Sequence, residues 1–136
     1  MAIARELMHP EPLTVRANAP LLEVQHVLVR AGISGVPVVD LQGQVIGVVS
    51  STDVLRALDE ALDEDRDDGE SDDVLERLQT VTAADAATPE VIWVSPDTSA
   101  AEVAHVMRRE AIHRVLVGSD ERLEGILTAF DLLRML

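Results

Sequence analysis

The sequence predicts an α/β (α+β) fold in which two β-α-β-β-α repeats pack about a pseudo-twofold axis. The first observation behind this prediction is an internal duplication, because a shift of 79 residues places Pro10 on Pro89. With one residue fewer in a turn, the match continues and places Asp53 on Asp131. The second observation is that short apolar runs, typical of strands, alternate with apolar residues at helical spacing. Such a duplication determines the architecture of the chain.

The elements of the first repeat follow this order. Pro20 suits the first position of a helix, and Gly32 ends that helix. The remaining elements are a brief strand around residues 13–15, strands over 36–39 and 44–49, and a helix that starts at about Ser51.

The second repeat shows the same order. Ser99 and Glu102 have the spacing of a capping box, which opens a helix that continues to about Glu110. The remaining elements are a strand over 91–94, strands over 114–117 and 123–127, and a closing helix over 129–136.

Composition narrows the classes of function. The chain has 136 residues, of which 47% are hydrophobic, with one Trp, one Phe and no Tyr. It therefore offers few aromatic platforms for single-stranded nucleic acid. The absence of cysteine excludes disulfides, zinc–thiolate sites and cysteine nucleophiles. No apolar run approaches the roughly 20 residues of a membrane span and no signal-peptide pattern is present, so we expect a soluble cytoplasmic protein.

Most of the net charge of −14 lies in one segment. Residues 59–73 contain ten acidic residues and a single arginine. We interpret 63–80 as an acidic linker, with one helical turn at 74–78, between repeat 1 (1–62) and repeat 2 (81–136). The acidic run could instead attract divalent cations or a basic partner. The negative charge argues against nucleic acid or an anionic membrane as a partner.

Each repeat carries the same short motif where a strand meets a helix. The motif reads Gly-Val-Val-Ser-Ser-Thr-Asp over 47–53 and Gly-Ile-Leu-Thr-Ala-Phe-Asp over 125–131. We expect the glycine to end a strand where a ligand approaches the backbone closely. The hydroxyl (Ser50, Thr128) lies at a helix start, which favours phosphate. The carboxylate (Asp53, Asp131) could accept two hydrogen bonds from a ribose diol, so the motif describes a nucleotide site.

A ligand is not the only explanation of this motif. A hydroxyl followed three residues later by an acid is also a helix capping box, which needs no ligand. Duplication preserves a cap as readily as a binding site, so both interpretations stay open.

Further stretches of the chain match a known pattern. They are residues 8–10, 13–15, 35–40 and 47–53 in the first copy, and 91–97, 112–117 and 125–131 in the second. On these residues the chain resembles a tandem pair of cystathionine-β-synthase-type (CBS) domains, also called a Bateman module. The resemblance covers nearly the whole chain apart from the acidic linker.

The resemblance implies a sensor that binds AMP, ADP, ATP or S-adenosylmethionine in clefts between the two repeats. Carried onto this sequence, Asp53 and Asp131 would hold ribose, and Ser50 and Thr128 would hold phosphate or ribose. The residues that would line the adenine pockets are Thr14, Val36, Trp93 and Val115. His113 and Arg114 would contact phosphate, a role that suits arginine in particular.

The two copies differ where phosphate is expected. The first repeat has Ser34 and Gly35 in place of His113 and Arg114, so the two clefts cannot be equally basic. The chain contains no lysine, so a triphosphate would depend on few cations or on Mg²⁺, and a mono- or diphosphate fits better. Trp93 could stack on a base, plug its cavity or pack in the core. We expect the motif of the second repeat to anchor the better site.

No catalytic or metal-binding set of residues stands out. The sequence has no Gly-x-Ser-x-Gly, His-Glu-x-x-His or phosphate-loop motif. His26 and His105 occupy equivalent helix positions, but neither is followed at i+3 or i+4 by a carboxylate or histidine, which favours helix surface or dimer contact over metal. We therefore expect no enzymatic activity, no bound metal and no tightly bound cofactor.

The resemblance implies a regulatory, energy-sensing module. The resemblance implies a homodimer through the unit-closing and mid-unit helices, and an effector protein that reads the ligand-induced population shift. One alternative is a non-binding module for dimerisation or docking on a partner enzyme or transporter. The other is an enzyme that consumes nucleotide.

Overall fold

The computed structural model describes residues 1–64, 71–119 and 122–135. Its contacts group the chain into two compact units. The first-repeat unit comprises Leu13–Glu90, and the second-repeat unit comprises Met1–Pro12 together with Val91–Leu136. Each unit therefore contains the opening segment of the other repeat.

Short helices and strands alternate along the described residues. In chain order they are α1 (Ala4–Leu7), β1 (His9–Pro10), β2 (Val15–Arg16), α2 (Leu21–Ala31), β3 (Gly35–Val39), β4 (Val45–Ser50), α3 (Ser51–Glu64), α4 (Ser71–Thr80), α5 (Ala83–Ala86), β5 (Trp93–Val94), α6 (Ala100–Glu110), β6 (Arg114–Ser119), β7 (Arg122–Thr128) and α7 (Ala129–Leu133). The predicted β-α-β-β-α order holds for the main elements of both repeats.

The first-repeat unit is built on a sheet with the strand order β2-β3-β4. Strand β2 runs parallel to β3, and β3 pairs antiparallel with β4, so that Val36 lies opposite Val49. Both long strands are rich in valine, whose β-branched side chain suits a buried, pleated surface. Val36, Val38 and Val49 are fully buried in a core with Leu21 and Val24 of α2. The hairpin thus leads the end of β4 directly into α3.

The second-repeat unit is built on a sheet with the order β1-β7-β6-β5. Strand β5 runs parallel to β6, and β6 pairs antiparallel with β7. Val115, Val117 and Leu127 from this hairpin are buried in a core with Val103 of α6 and Ala4 of α1. The end of β7 leads directly into α7, in the same way as β4 leads into α3.

The opening segment of each repeat lies beside the strand that carries the other repeat's motif. In the second-repeat unit, His9 of β1 lies opposite Ile126 of β7. In the first-repeat unit, Thr88 bridges to Val48 of β4 through two backbone hydrogen bonds of 2.9 and 3.0 Å. Thr88 is the equivalent of His9 under the 79-residue shift. These pairings, which were not predicted from the sequence, bring one new side chain to each motif.

Helices α2 and α6 end at equivalent residues with left-handed backbone conformation. Gly32 ends α2 with φ 63°, as predicted, and its backbone N–H caps the last turn. Ala111 ends α6 with φ 54° and ψ 48°, although it carries a Cβ.

The helices around the acidic linker are longer than the sequence analysis predicted. Helix α3 continues to Glu64, and α4 spans Ser71–Thr80, where a linker with a single helical turn was expected. The remaining linker residues, 65–70, lie outside the described residues. The short helix α5 was not predicted, and α7 ends at Leu133, earlier than the predicted helix over 129–136.

Helix length bears on the membrane prediction. Helix α3 has 14 residues, whereas a membrane span needs about 20 predominantly apolar residues. Within residues 1–64, 71–119 and 122–135, no helix has the length and apolarity to cross a bilayer.

Candidate functional site

In the first-repeat unit, the motif forms a hydrogen-bonded turn between β4 and α3. The backbone N–H and the hydroxyl of Ser50 donate to Oδ2 of Asp53 at 2.8 and 2.9 Å. In return, the Asp53 N–H donates to the Ser50 hydroxyl oxygen at 3.2 Å. The capping-box interpretation is therefore realised here, and it occupies one carboxylate oxygen of Asp53.

In the second-repeat unit, the motif repeats this geometry between β7 and α7. The N–H and hydroxyl of Thr128 donate to Oδ2 of Asp131 at 2.8 and 3.0 Å, and the Asp131 N–H donates back at 3.3 Å. Asp53 is 4% exposed and Asp131 is 3% exposed. Two buried carboxylates are thus held in the same orientation by the same kind of turn.

The second oxygen of each carboxylate, Oδ1, is bound by residues that the sequence analysis did not single out. Oδ1 of Asp53 accepts hydrogen bonds from Nη1 of Arg56 at 2.9 Å and from the hydroxyl of Thr88 at 3.3 Å. The two donors come from α3 and from the opening segment of the second repeat. A cation and a hydroxyl therefore share the outer oxygen of this buried carboxylate.

Oδ1 of Asp131 has a stronger set of partners. Nη2 of Arg134 is hydrogen-bonded to it, and Nε2 of His9 lies 2.8 Å away. The same His9 nitrogen lies 3.2 Å from Nη2 of Arg134. A ring nitrogen that donates to Asp131 carries hydrogen and cannot accept from Arg134, so the carboxylate holds two donors close together.

The sequence does contain a signal for these four partners. Arg56 and Arg134 occupy equivalent positions in the duplication, three residues after each aspartate, and Thr88 and His9 are likewise equivalent. A side chain one helical turn after a buried carboxylate can reach it. The duplication was visible, but it does not reveal that β1 pairs with β7, which places His9 opposite Ile126.

The electrostatic state of Asp131 follows from these contacts. Burial is the largest influence and on its own would raise the pKa of the carboxyl. Hydrogen bonds from Thr128, Arg134 and His9 favour the ionised form and together outweigh burial. The pKa of Asp131 therefore lies below its ordinary value.

The prediction that the motif glycines leave room for a ligand is wrong for both glycines. Gly47 lies within β4, and a Cβ placed on it would lie 2.8 Å from the backbone oxygen of Thr88. A Cβ on Gly125 would overlap the side chain of Met8 and lie 2.9 Å from the backbone oxygen of His9. The approaching group is the opening segment of the other repeat, because its backbone pairs along the same strand.

The two valines predicted to line adenine are buried in the cores. Val36 is 0% exposed and Val115 is 1% exposed. Each lies opposite a core residue of the neighbouring strand. Thr14 is exposed and precedes β2. The structure therefore places Val36 in the sheet whose strand β4 ends at Ser50, and the side chain of Val36 is buried in the core.

The remaining predicted residues lie in the second-repeat unit. Trp93 is half-buried with its ring close to Gly118, and it is not part of the core of the second-repeat unit, so the alternatives for this side chain stay open. Arg114 is half-buried and lies opposite Thr128 on the adjacent strand. His113 is exposed, and its backbone oxygen accepts a 2.8 Å hydrogen bond from the N–H of Ala129 at the start of α7.

A cavity of about 660 Å³ lies within the first-repeat unit, bordered by α3, α4 and α5. Its charged and polar lining comprises Asp53, Arg56, Glu60, Arg77, Thr80, Asp85 and Thr88. A volume of this size falls in the range of small-molecule sites. One of the two buried aspartates thus borders a cavity that also presents two guanidinium groups.

Within the part of the chain that the structure describes, histidine, aspartate and glutamate side chains do not form any group of three that could hold a metal ion. The chemistry that the arrangement offers is reversible hydrogen bonding. In each site the cap fixes one carboxylate oxygen. The other oxygen accepts hydrogen bonds that a ligand could replace, and an exposed arginine lies beside it.

Comparison with known proteins identifies relatives along the whole chain. A protein of Methanocaldococcus jannaschii described as uncharacterized is 30% identical over 132 residues, which cover 97% of this chain but 42% of that protein. The chain therefore spans less than half of this relative's length.

Solved structures share the fold. The CBS domain of a CBS domain-containing membrane protein from Sphaerobacter thermophilus is 31% identical with a TM-score of 0.83, and the match covers 100% of this chain and 88% of that one. The protein CBSX2, solved in complex with AMP, is 25% identical with a TM-score of 0.77, and the match covers 99% and 96% of the two chains. The predicted fold class is confirmed by these structures.

The sequence profile of the CBS domain matches this chain twice, over residues 4–60 and 83–136. These two segments follow the internal duplication and include both strand-to-helix motifs. The chain therefore belongs to the CBS domain family and carries two CBS domains in tandem.

Proposed function

We propose that this tandem CBS pair is a regulatory sensor of an adenosine-containing nucleotide. The observation that carries the proposal is the duplicated buried aspartate, Asp53 and Asp131, whose Oδ2 is fixed by the cap while Oδ1 holds exchangeable donors. The AMP complex of CBSX2, at 25% identity, supports the choice of ligand class.

The carboxylate geometry suits a ribose diol. An ionised carboxylate accepts up to about four hydrogen bonds, and two neighbouring hydroxyls of a ribose can donate to one oxygen or bridge both. Because the cap already holds Oδ2 of Asp53 and Asp131, the carboxylates need little reordering when a ligand binds. The hydroxyl donors of the ligand would replace Thr88 or His9, and the neighbouring arginine, at Oδ1.

We assign Ser50 and Thr128 a positioning role in place of a phosphate contact. Their hydroxyls already bind the aspartate, and the next backbone N–H groups are also occupied. The N–H of Ser51 donates to the backbone oxygen of Ser34 at 2.9 Å, and the N–H of Ala129 donates to that of His113. A phosphate would have to displace these bonds to use the start of either helix.

The adenine would be recognised by the residues that the family resemblance suggests. Thr14 and Trp93 would offer side-chain contacts, whereas Val36 and Val115 would offer only backbone groups because their side chains are buried. Arg114, and His113 with its exposed side chain, remain proposed phosphate contacts in the second-repeat unit.

The contacts now favour the first-repeat motif as the tighter site, the reverse of the ranking expected from the sequence. Oδ1 of Asp53 is held by Arg56 and a 3.3 Å contact to Thr88. Oδ1 of Asp131 is held by Arg134 and by His9 at 2.8 Å, so a ligand must displace stronger hydrogen bonds there. Asp53 also borders the cavity of the first-repeat unit.

The output of the sensor would be a protein contact and not a reaction. Leu55 of α3 and Leu133 of α7 occupy equivalent positions and are 65% and 61% exposed, and Val29 of α2 is 69% exposed. Exposed aliphatic side chains on these helices support a homodimer and an effector that reads it. Cytoplasmic location, energy sensing and binding of the nucleotide with or without Mg²⁺ belong to the same proposal.

Calorimetric titration with AMP, ADP, ATP and S-adenosylmethionine, with and without Mg²⁺, tests the proposal. Saturable binding of at least one ligand, without its consumption, is the expected result. Nucleotide turnover during the titration would point to the enzyme alternative.

A docking module that binds no nucleotide is the second candidate function. It is favoured by the observation that Oδ1 of both aspartates is already satisfied by the protein's own donors. Absence of heat with all four ligands would support it.

A further inference from the structure

We propose that Arg56 and Arg134 are gate arginines, which close Oδ1 of the buried aspartates in the free protein and pair with an anionic group of the bound ligand. The inference rests on the proposed function and narrows its ligand class. It predicts that the sites select adenosine phosphates over adenosine and over S-adenosylmethionine.

The two ends of each ion pair differ in their freedom to move. The side chain of Asp53 is 5% exposed and that of Asp131 is 2% exposed, whereas the side chains of Arg56 and Arg134 are 59% and 55% exposed. Each aspartate is also fixed by its cap. When a ligand competes for Oδ1, the arginine is therefore the partner that leaves.

Displacement of the arginine has an electrostatic consequence. A buried carboxylate that loses its cation keeps an uncompensated charge, which is strongly unfavourable. The hydroxyls of a ribose restore hydrogen bonds to Asp53 or Asp131 but not the charge, and neutral donors bind a carboxylate less strongly than a guanidinium does. A nucleoside alone therefore exchanges a stronger interaction for a weaker one.

An anionic group on the same ligand reverses this balance. The released guanidinium can bind a phosphate in a bidentate manner while it stays close to the aspartate. The ligand then satisfies both ends of the broken ion pair. S-adenosylmethionine has the same diol and one carboxylate, but its net charge is positive and its sulfonium is bonded next to the ribose, where a displaced arginine would repel it.

The cavity of the first-repeat unit provides a place for the anion. Arg56 of α3 and Arg77 of α4 both line it, beside Asp53. Glu60 and Asp85 line the same cavity, and Asp85 accepts a hydrogen bond from the N–H of Thr82 in the cap of α5. With Asp53 included, two guanidinium groups and three carboxylates line the cavity, so we expect AMP, which carries less negative charge, to fit better than ATP.

In the second-repeat unit, the gate is held more firmly. Besides its contacts with Asp131 and His9, the Arg134 guanidinium lies 5.7 Å from the centre of the Phe130 ring, within the range of a cation–π interaction. Arg56 has no equivalent ring, because Thr52 occupies the position of Phe130. We therefore expect stronger exclusion of adenosine at Asp131 than at Asp53.

The test is calorimetric titration of the full chain with adenosine, AMP and S-adenosylmethionine. The variants are Arg56→Ala, Arg134→Ala and the double substitution, with Arg30→Ala as the matched control because Arg30 is exposed on α2. In the unchanged protein and the control, AMP should bind at least about tenfold more tightly than adenosine, as expected for a charge-assisted contact. In the double variant, adenosine should bind more tightly and AMP more weakly, so that this ratio falls to about one.

The outcomes separate the gate from the proposed function. If the unchanged protein binds none of the three ligands, the proposed function fails and the gate with it. If AMP binds but the AMP-to-adenosine ratio is the same in the double variant and the control, the gate is wrong and the sensor stands. Tighter binding of S-adenosylmethionine than of AMP to the unchanged protein would also overturn the gate.

A second pair of variants keeps the test decisive if loss of both arginines prevents folding. Arg56→Lys and Arg134→Lys retain a cation near each aspartate, and circular dichroism would confirm that they fold. Because lysine cannot bind phosphate in a bidentate manner, these variants should still exclude adenosine while AMP binding weakens by about three- to tenfold. Unchanged AMP binding in both lysine variants would contradict the role assigned to the guanidinium.

Discussion

The ends of α2 and α6 allow one stability prediction to be worked out in detail. Ala111 ends α6 in a left-handed conformation with φ 54° and ψ 48°. At the equivalent end of α2, Gly32 has φ 63° and ψ 38°. We predict that Ala111→Gly stabilises the protein, because glycine adopts the left-handed conformation more easily than alanine does. Gly32→Ala should destabilise the protein for the same reason.

The magnitude follows from two opposing contributions. A left-handed conformation is about 1–2 kcal/mol less favourable for a residue with a Cβ. Glycine loses more backbone entropy on folding, which offsets about 0.5–1 kcal/mol of this difference. We therefore expect Ala111→Gly to raise the free energy of unfolding by about 0.5–1 kcal/mol, and Gly32→Ala to lower it by a similar amount. No atom lies within 4 Å of a Cβ placed on Gly32, so a steric clash does not complicate the comparison.

Urea denaturation measures both effects. The transition midpoints should move in opposite directions while the slope of the free energy against urea concentration stays constant, since neither substitution changes the surface exposed on unfolding. A neutral or destabilising Ala111→Gly, together with a neutral Gly32→Ala, would refute the reasoning, because it would mean that neither helix ends in a left-handed residue.

Three further predictions concern the candidate sites. Asp131→Asn should lower the free energy of unfolding at pH 7 by about 1–3 kcal/mol, because it leaves buried and charged donors without an anionic acceptor. In the folded protein the pKa of Asp131 is depressed, so its carboxylate stabilises the fold above the ordinary pKa of aspartate, and this contribution is lost as the pH falls below about 4. Between pH 7 and pH 3, the free energy of unfolding measured with urea should therefore fall less for Asp131→Asn than for the unchanged protein. An equal fall in both proteins would contradict the assignment. Gly125→Ala should destabilise by about 1–3 kcal/mol because its Cβ meets Met8 and the backbone of His9, and a thermal melt unchanged within error would show that β1 does not pair tightly with β7. Finally, Asp53→Ala should weaken AMP binding more than Asp131→Ala, and titrations that give the reverse order would restore the ranking expected from the sequence.

The main elements of the fold could be predicted because their signals are local. The valine-rich runs that form β3 and β4, and Gly32 at the end of α2, depend on residues that are neighbours in the chain. The length of the linker helix α4 was underestimated because acidic residues interrupt the pattern of apolar residues. Some of these apolar residues, such as Leu78, pack the helix against the core. Short elements such as β1 and α5 have too few residues for a periodic pattern.

The candidate sites were predicted in part. Ser50 contacts Asp53 in one unit, and Thr128 contacts Asp131 in the other, because three-residue spacing at a helix start is a local signal. The partners His9 and Thr88 depend on the pairing of segments that are far apart in the sequence, which no spacing rule reveals. The motif glycines were misinterpreted for the same reason, since the backbone that approaches them comes from the other repeat.

The exchange of opening segments has a consequence for the order in which the chain can fold during synthesis. Residues 1–12 leave the ribosome before the rest of the tandem pair, yet β1 finds its partner only when Gly125 and Ile126 of β7 have emerged. The first-repeat unit, by contrast, is complete once Glu90 has been made. We therefore expect the first-repeat unit to form while the second is still being translated. Residues 1–12 would then be among the last residues of the tandem pair to acquire their native contacts.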